Sequence, residues 1–117
     1  MKKCVLAITF LVASLCYSQE VKPTFKADGD LVKATYYFED GSVKTQGYFK
    51  DKKLTGEWTR FDKNGNKVQL AYYKAGKKVG KWFIWNNHTL KEINYKNNTI
   101  VNAAEFLRYV VHWDSML

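Results

Sequence analysis

Short segments rich in aromatic and β-branched residues alternate along the chain with turns made of Asp, Asn, Gly and Lys. A turn signal recurs about every 10 to 12 residues, a spacing typical of an antiparallel β-meander. Asn64-Gly65 is the strongest individual hairpin signal, because both residues tolerate a positive φ. The pattern therefore predicts a mainly β fold, with strands at residues 31–38, 42–50, 54–61, 66–74, 78–85, 89–96 and 99–101.

Similar residues recur 24 positions apart within this pattern. The segment Gly56-Glu57-Trp58 is followed by Gly80-Lys81-Trp82 at that spacing. A fixed period of this length is typical of a small supersecondary unit that is repeated and stacked. We expect one hairpin per repeat, in the region 31–101, with structural glycines at Gly41, Gly47, Gly56, Gly65, Gly76 and Gly80.

Glycines inside strands need a reason, because glycine weakens a strand. Closing the turn after Lys50 as a hairpin places Gly47 opposite Gly56. Closing the corresponding turn 24 residues later places Ala71 opposite Gly80. We therefore expect a shallow channel in which a tryptophan ring lies flat across the sheet, with Gly-x-Trp as the packing unit.

The repeats resemble those of a known family of proteins. The residues that carry the resemblance are Gly47-Tyr48-Phe49-Lys50, Leu54-Thr55-Gly56-Glu57-Trp58, Asp62-Lys63-Asn64-Gly65, Tyr73-Lys74-Ala75-Gly76-Lys77-Lys78-Val79-Gly80-Lys81-Trp82 and Leu90-Lys91-Glu92-Ile93-Asn94-Tyr95. They are similar to the MORN-repeat variant proteins, which include YwqK-type proteins described as antitoxin components. The resemblance implies a β-repeat fold over about residues 34–101, and either neutralisation of a co-encoded toxin or, as in MORN relatives, peripheral binding to anionic lipid.

The first 18 residues have the layout of a secretory signal peptide. Lys2 and Lys3 precede an apolar run that ends near Leu15 and is too short to span a membrane. Both cysteines, Cys4 and Cys16, lie inside this segment, so the expected mature chain holds no disulfide. We predict export to the periplasm, the envelope or the medium. Lipidation at Cys16 is an alternative, against which Leu15 argues because a lipobox has a small residue there.

Residues on either side of the repeats have a different character. Residues 19–30 form a polar lead that contains Pro23 and the turn Asp28-Gly29-Asp30. At the other end, Asn102-Ala103-Ala104-Glu105 has the layout of a helix N-terminus, and apolar residues follow at a period near 3.6. The sequence predicts an amphipathic helix within 102–117 that packs on the sheet. A strand through 109–113 and a helix that docks on a partner or membrane are the alternatives.

Positive charge is concentrated in the repeats. Removal of Lys2 and Lys3 from a chain of net charge +8 leaves +6. Residues 44–96 alone hold 13 Lys or Arg against 4 Asp or Glu. A basic region of this kind fits an anionic partner, or it keeps an open sheet soluble. Export argues against nucleic acid as that partner.

Residue types that carry chemistry are sparse. The two histidines, His88 and His112, lie in a turn and on the predicted helix, and no nucleophile, dinucleotide or phosphate-loop motif occurs. Asp62-x-Asn64-x-Asn66 begins like a calcium loop but lacks the later glycine and glutamate. The sequence therefore predicts a non-enzymatic protein without cofactor or metal.

Aromatic residues make up 16% of the chain, more than one sheet and one helix can bury. We predict that an aromatic sheet face with a basic rim binds another protein or a cell-envelope surface. The alternative is that the rings form cross-strand ladders that only stabilise the sheet. Oligomeric state stays open. The candidate binding residues are Tyr48, Trp58, Tyr72, Trp82, Trp85, Lys50, Lys74, Lys77, Lys78 and Lys81.

Overall fold

The computed structural model describes residues 21–108, which form one antiparallel β-sheet without a helix. Nine strands follow one another along the chain. Their bounds are β1 Thr24–Asp28, β2 Leu31–Tyr37, β3 Val43–Lys50, β4 Lys53–Phe61, β5 Lys67–Lys74, β6 Lys77–Lys78, β7 Gly80–Trp85, β8 Thr89–Lys96 and β9 Thr99–Leu107. Each strand pairs with the next, except that β6 and β7 both pair with β5. The predicted mainly β meander is confirmed.

Short polar turns connect the strands, as the sequence predicts. In the turn between β4 and β5 the Gly65 amide donates to the Asp62 carbonyl at 3.1 Å. The Asp62 carboxylate accepts from the amides of Asn64 and Asn66, at 2.9 and 3.0 Å. In the turn between β2 and β3, Asp40 accepts from the amide and hydroxyl of Ser42, and these bonds lower the pKa of its carboxyl. Aspartate thus fixes both turns by satisfying backbone donors.

The polar lead expected at residues 19–30 contains a strand instead. β1 pairs with β2 through the turn at Gly29, so that Phe25 lies opposite Ala34 and Lys26 lies opposite Lys33. The turn was recognised in the sequence, but the segment before it is short and half polar. The composition of residues 24–28 does not predict a strand, but backbone pairing with β2 stabilises one there.

The C-terminal helix expected from residue 102 is also wrong where the structure describes it. β9 continues to Leu107, with Asn102 opposite Asn94 and Glu105 opposite Lys91. The capping pattern at Asn102 is a local signal, and pairing with β8 overrides it because the ladder supplies backbone partners along most of β9. Residues 109–117 and the expected signal peptide 1–18 lie outside the described residues, as do both cysteines and His112.

Four residues form the buried core of the described sheet, and all lie on one face. Ala34 and Ala71 are fully buried, and Trp58 and Trp82 are exposed by only 8% and 4%. Ala34 lies opposite Gly47, and Trp58 lies opposite Ala71, so the Trp58 ring lies beside small residues on both neighbouring strands. The core is thus made within a single layer of sheet.

The Trp58 ring occupies the place that a side chain at Gly47 would take. A Cβ added to Gly47 would lie 1.9 Å from Cδ2 of Trp58, far inside van der Waals contact. Gly56 has a different role from the one expected, because a Cβ there would meet nothing within 4 Å. Gly56 and Gly80 instead have φ values of 64° and 69°, a conformation that favours glycine. Each of these glycines lies where the register between neighbouring strands shifts, two residues before a buried tryptophan.

We expect Gly47→Ala to reduce the free energy of unfolding by about 1–3 kcal/mol, because the new methyl group overpacks the Trp58 ring. Chemical denaturation measures the loss. In a Trp58→Phe background the smaller ring leaves space, so the same alanine substitution should cost less than half as much. An equal cost in both backgrounds would contradict steric contact between the two residues.

Candidate interaction surfaces of the sheet

Five aromatic rings from five different strands form a continuous row on one face. Ring centroids are 5.1 Å apart for Phe49 and Trp58, and 6.5 Å apart for Trp58 and Tyr73. Tyr73 lies 5.2 Å from Trp82, which lies 4.9 Å from Tyr95. Most of these pairs meet edge to face, the arrangement that the ring quadrupoles favour. We call this side of the sheet the ladder face.

Both buried tryptophans make the same hydrogen bond. The Trp58 indole nitrogen donates to the Tyr48 carbonyl at 3.0 Å, and the Trp82 indole nitrogen donates to the Tyr72 carbonyl at 3.1 Å. In each case the acceptor lies ten residues earlier, on the preceding full-length strand. Both acceptor carbonyls lie where the strand pairing is irregular, near the glycine two residues before each tryptophan. The Tyr72 carbonyl also accepts from the Val79 amide at 3.0 Å.

Lys78 is the basic residue that contacts the ladder. Its ammonium lies 5.2 Å from the centroid of the Trp82 ring and 5.3 Å from that of Tyr95. A cation at this distance above two rings is attracted by their negative faces. Lys78 lies opposite Tyr73 in the ladder between β5 and β6, so it shares the face of these aromatic residues. The charge of Lys78 is therefore held at the Trp82 and Tyr95 end of the aromatic row.

The structure divides the predicted binding residues between two faces. Trp58, Trp82 and Lys78 lie on the ladder face. Side chains alternate along a strand, so the neighbours of these residues point to the opposite side. The residues there are Tyr48, Tyr72, Trp85, Lys50, Lys74, Lys77 and Lys81. We expected five lysines to form a rim around the tryptophans on one face. Of these five, only Lys78 lies on the same face as Trp58 and Trp82. Trp58 and Trp82 are core residues with little surface to offer a partner.

We call the opposite side the lysine face. Lys50 pairs directly with Lys53, and Lys74 pairs with Lys77, so two like-charged pairs lie beside neighbouring turns. Across the described chain the one ion pair within 4 Å joins Lys81 to Glu92, at 2.6 Å and partly exposed. Like charges directly opposite each other destabilise a sheet. The lysine face therefore offers positive charge that the described residues do not neutralise.

Two tyrosines near the centre of the sheet have raised pKa values. Partial burial is the main cause of the raised pKa at Tyr73, and the charge of Tyr95 adds to it. Burial also raises the pKa of Tyr72, whose hydroxyl lies 3.4 Å from the Glu57 carboxylate. Both phenols therefore resist ionisation in the folded protein.

A third feature is a polar cleft between two turns, the one that joins β4 to β5 and the one that joins β7 to β8. It has a volume of about 670 Å³. Its lining includes Asn66, Lys67, Trp85, Asn86, Asn87 and Arg108. The sequence singled out Trp85 as a candidate binding residue but not the others, because they come from three separate parts of the chain and form no local motif.

Ladder residues that the sequence analysis did not propose as contacts are Phe49, Tyr73 and Tyr95. Side chains alternate between faces along a strand, and paired residues on neighbouring strands share a face. Applied from Trp58 and Trp82 through the predicted hairpins, this rule would have placed all three residues on the same face.

Comparison of the chain with protein-family models, with curated proteins and with solved structures finds no match. Within residues 21–108, no helix is long and apolar enough to cross a membrane. The same residues hold no group of three or more His, Cys, Asp or Glu side chains placed to bind a metal ion.

We expect the free energy of unfolding to fall as the pH rises above about 10, because the unfolded chain ionises its tyrosines at the ordinary value while folded Tyr72 and Tyr73 resist. Stability from this source is complete below the unfolded pKa and is lost as the pH rises through the folded one. Denaturation of Tyr73→Phe from pH 8 to 12 should show a shallower decline than the unmodified chain. An identical decline would show that Tyr73 titrates normally.

Proposed function

We propose that the chain is a non-enzymatic, exported repeat module that binds another protein, or a component of the cell envelope, through the ladder face. The observation that carries the proposal is the uncovered aromatic row. Phe49, Tyr73 and Tyr95 remain half-buried, and within residues 21–108 no second layer packs over them. Large apolar patches on soluble proteins commonly mark interaction sites.

The size of the row suits a protein partner better than a small ligand. Five rings on strands about 4.8 Å apart extend across about 19 Å of the sheet. Aromatic residues are enriched at the centres of protein interfaces, because they bury large areas at a small cost in side-chain entropy. A partner acid that reaches Lys78 would add a charge-assisted contact at the Trp82 and Tyr95 end of the row.

The repeat interpretation supports a recognition role. The bonds from Trp58 to Tyr48 and from Trp82 to Tyr72 are related by a shift of 24 residues. So are the pairings of Gln46 with Thr59 and of Leu70 with Phe83. Stacked repeats of one unit produce an extended surface, as in other repeat proteins that bind partners. We propose that these units are MORN-like, in keeping with the resemblance in their sequence.

The lysine face favours a second candidate function, attachment to an anionic lipid surface. Lys50, Lys53, Lys74 and Lys77 lie beside neighbouring turns on that face. Each lysine near an anionic membrane contributes about 1 kcal/mol, and salt screens the attraction. Neutralisation of a toxin, which the YwqK resemblance implies, is a special case of protein binding. A toxin-like reading frame beside the gene would favour it.

Two neighbouring lysines allow the faces to be tested separately. Lys78 lies on the ladder face and Lys77 on the lysine face, so Lys78→Glu and Lys77→Glu make the same charge change on opposite sides. The expected mature chain, residues 19–117, is immobilised and exposed to envelope extract at low and high salt. Any recovered protein is then purified, and its affinity is measured for both variants.

We expect one protein to be recovered at both salt concentrations. Lys78→Glu should weaken its binding by about tenfold, or about 1.4 kcal/mol, and Lys77→Glu by less than about twofold. Recovery of lipid alone, lost at high salt and sensitive to Lys77→Glu, would overturn the ladder face as the binding site and support the second candidate. Equal effects of the two variants on a recovered protein would also contradict the proposal.

A further inference from the structure

The polar cleft is separate from the ladder face. It lies between the turn that joins β4 to β5 and the turn that joins β7 to β8, on the side of the sheet that carries Phe83 and Trp85. Its residues have no part in the aromatic row or in the function proposed above. An inference from it therefore stands independently of that function.

Arg108 is held at one side of this cleft by two hydrogen bonds. Its backbone amide donates to the His88 carbonyl at 2.8 Å, and its Nη1 donates to the Asn86 carbonyl at 2.9 Å. A guanidinium has five donor hydrogens in a fixed plane, so most of them remain available to a ligand. Fixing the side chain in advance reduces the entropy lost when a planar anion binds.

Trp85 forms a flat apolar wall in the same cleft. Its ring stacks against Phe83, with centroids 5.9 Å apart and planes inclined by 20°. The contact with Phe83 fixes the plane of a ring that stays only half-buried. A positioned aromatic surface beside polar groups can pack against the C–H face of a sugar ring while the hydroxyls point toward hydrogen-bonding partners.

The remaining lining is rich in amides, and the cleft as a whole carries a net charge of +1 from Lys67, Arg108 and Asp62. The Asn86 Oδ1 already accepts from the Asn87 backbone amide at 2.6 Å, and the Asn66 Nδ2 donates to the Asp62 carboxylate at 3.5 Å. The other polar atoms of the Asn66, Asn86 and Asn87 side chains offer both donors and acceptors. The Asp62 carboxylate is already used by the turn amides of Asn64 and Asn66. Among the described residues neither Lys67 nor Arg108 forms an ion pair. The cleft thus combines two cations with a flat ring and several amides.

We propose that this cleft binds a carboxylate-bearing saccharide, such as a uronic acid unit of a polysaccharide. In this arrangement Arg108 and Lys67 bind the carboxylate, Trp85 packs against the sugar ring, and the asparagine amides bind the hydroxyls. A planar carboxylate matches the guanidinium geometrically, since two parallel hydrogen bonds can form. An apolar ligand would leave the amides and cations unpaired, at a cost in desolvation.

Binding of defined oligosaccharides to the full-length purified chain tests the site. The probes are the trimers of galacturonic acid and mannuronic acid, and the methyl ester of the first serves as an uncharged control with the same sugar rings. Calorimetry gives the affinities, and NMR follows the indole signal of Trp85 and the side-chain amides of Asn66, Asn86 and Asn87. Arg60 is exposed and lies on the ladder face, so Arg60→Gln is the matched control for Arg108→Gln.

We expect at least one acidic trimer to bind and to shift the Trp85 indole signal, with affinity lowered at least tenfold by methyl esterification. Arg108→Gln should also weaken binding about tenfold, and Arg60→Gln should leave it within twofold. Circular dichroism before each titration establishes that both variants are folded. Equal binding of acid and ester, equal effects of the two arginine variants, or no binding of either acid at millimolar concentration would overturn the proposal.

Discussion

The fold depends on how a single layer of sheet buries enough apolar surface to be stable. In most β-proteins a second layer covers one face, but residues 21–108 form one sheet only. Trp58 solves the problem by lying flat over Gly47, where no side chain competes for the space. Its indole nitrogen then bonds to a backbone carbonyl, as that of Trp82 does. The tryptophan rings therefore cover the sheet where a second layer would pack in other β-proteins. Together with their aromatic neighbours they extend from β3 to β8.

This solution makes the two faces chemically different. Once the tryptophans and their aromatic neighbours lie on one side, alternation sends the intervening lysines to the other. The ladder face becomes largely aromatic, with Lys78 held over two of its rings, whereas the lysine face gathers charges that repel one another. The sheet thus has one largely aromatic surface and one basic surface. The polar cleft differs from both faces, because asparagine amides, two cations and the Trp85 ring line it.

The sequence predicted the central strands well, because each is bounded by an Asp, Asn or Gly turn whose chemistry is local. The predictions for the two edge strands, β1 and β9, were wrong. β1 is too short and polar to be recognised without its partner, and β9 carries a helix-capping pattern that pairing with β8 overrides. Trp58 was expected to lie over a channel left by Gly47 and Gly56 together, but the ring occupies the space at Gly47 alone, and Trp58 is a core residue rather than a binding anchor. Irregular pairing near Gly56 depends on contacts between strands, which periodicity alone does not contain.

Hydrogen exchange at the tryptophan indoles tests most directly whether the single layer is its own core. The account predicts slow exchange at Trp58 and Trp82, which are buried and donate to backbone carbonyls, and fast exchange at Trp85, which is half-buried. NMR at neutral pH, with each signal assigned by substitution, distinguishes them. Slow exchange confined to the first two indoles would support the account. Fast exchange at all three would contradict it, because the rings would then lie open to water rather than forming the core.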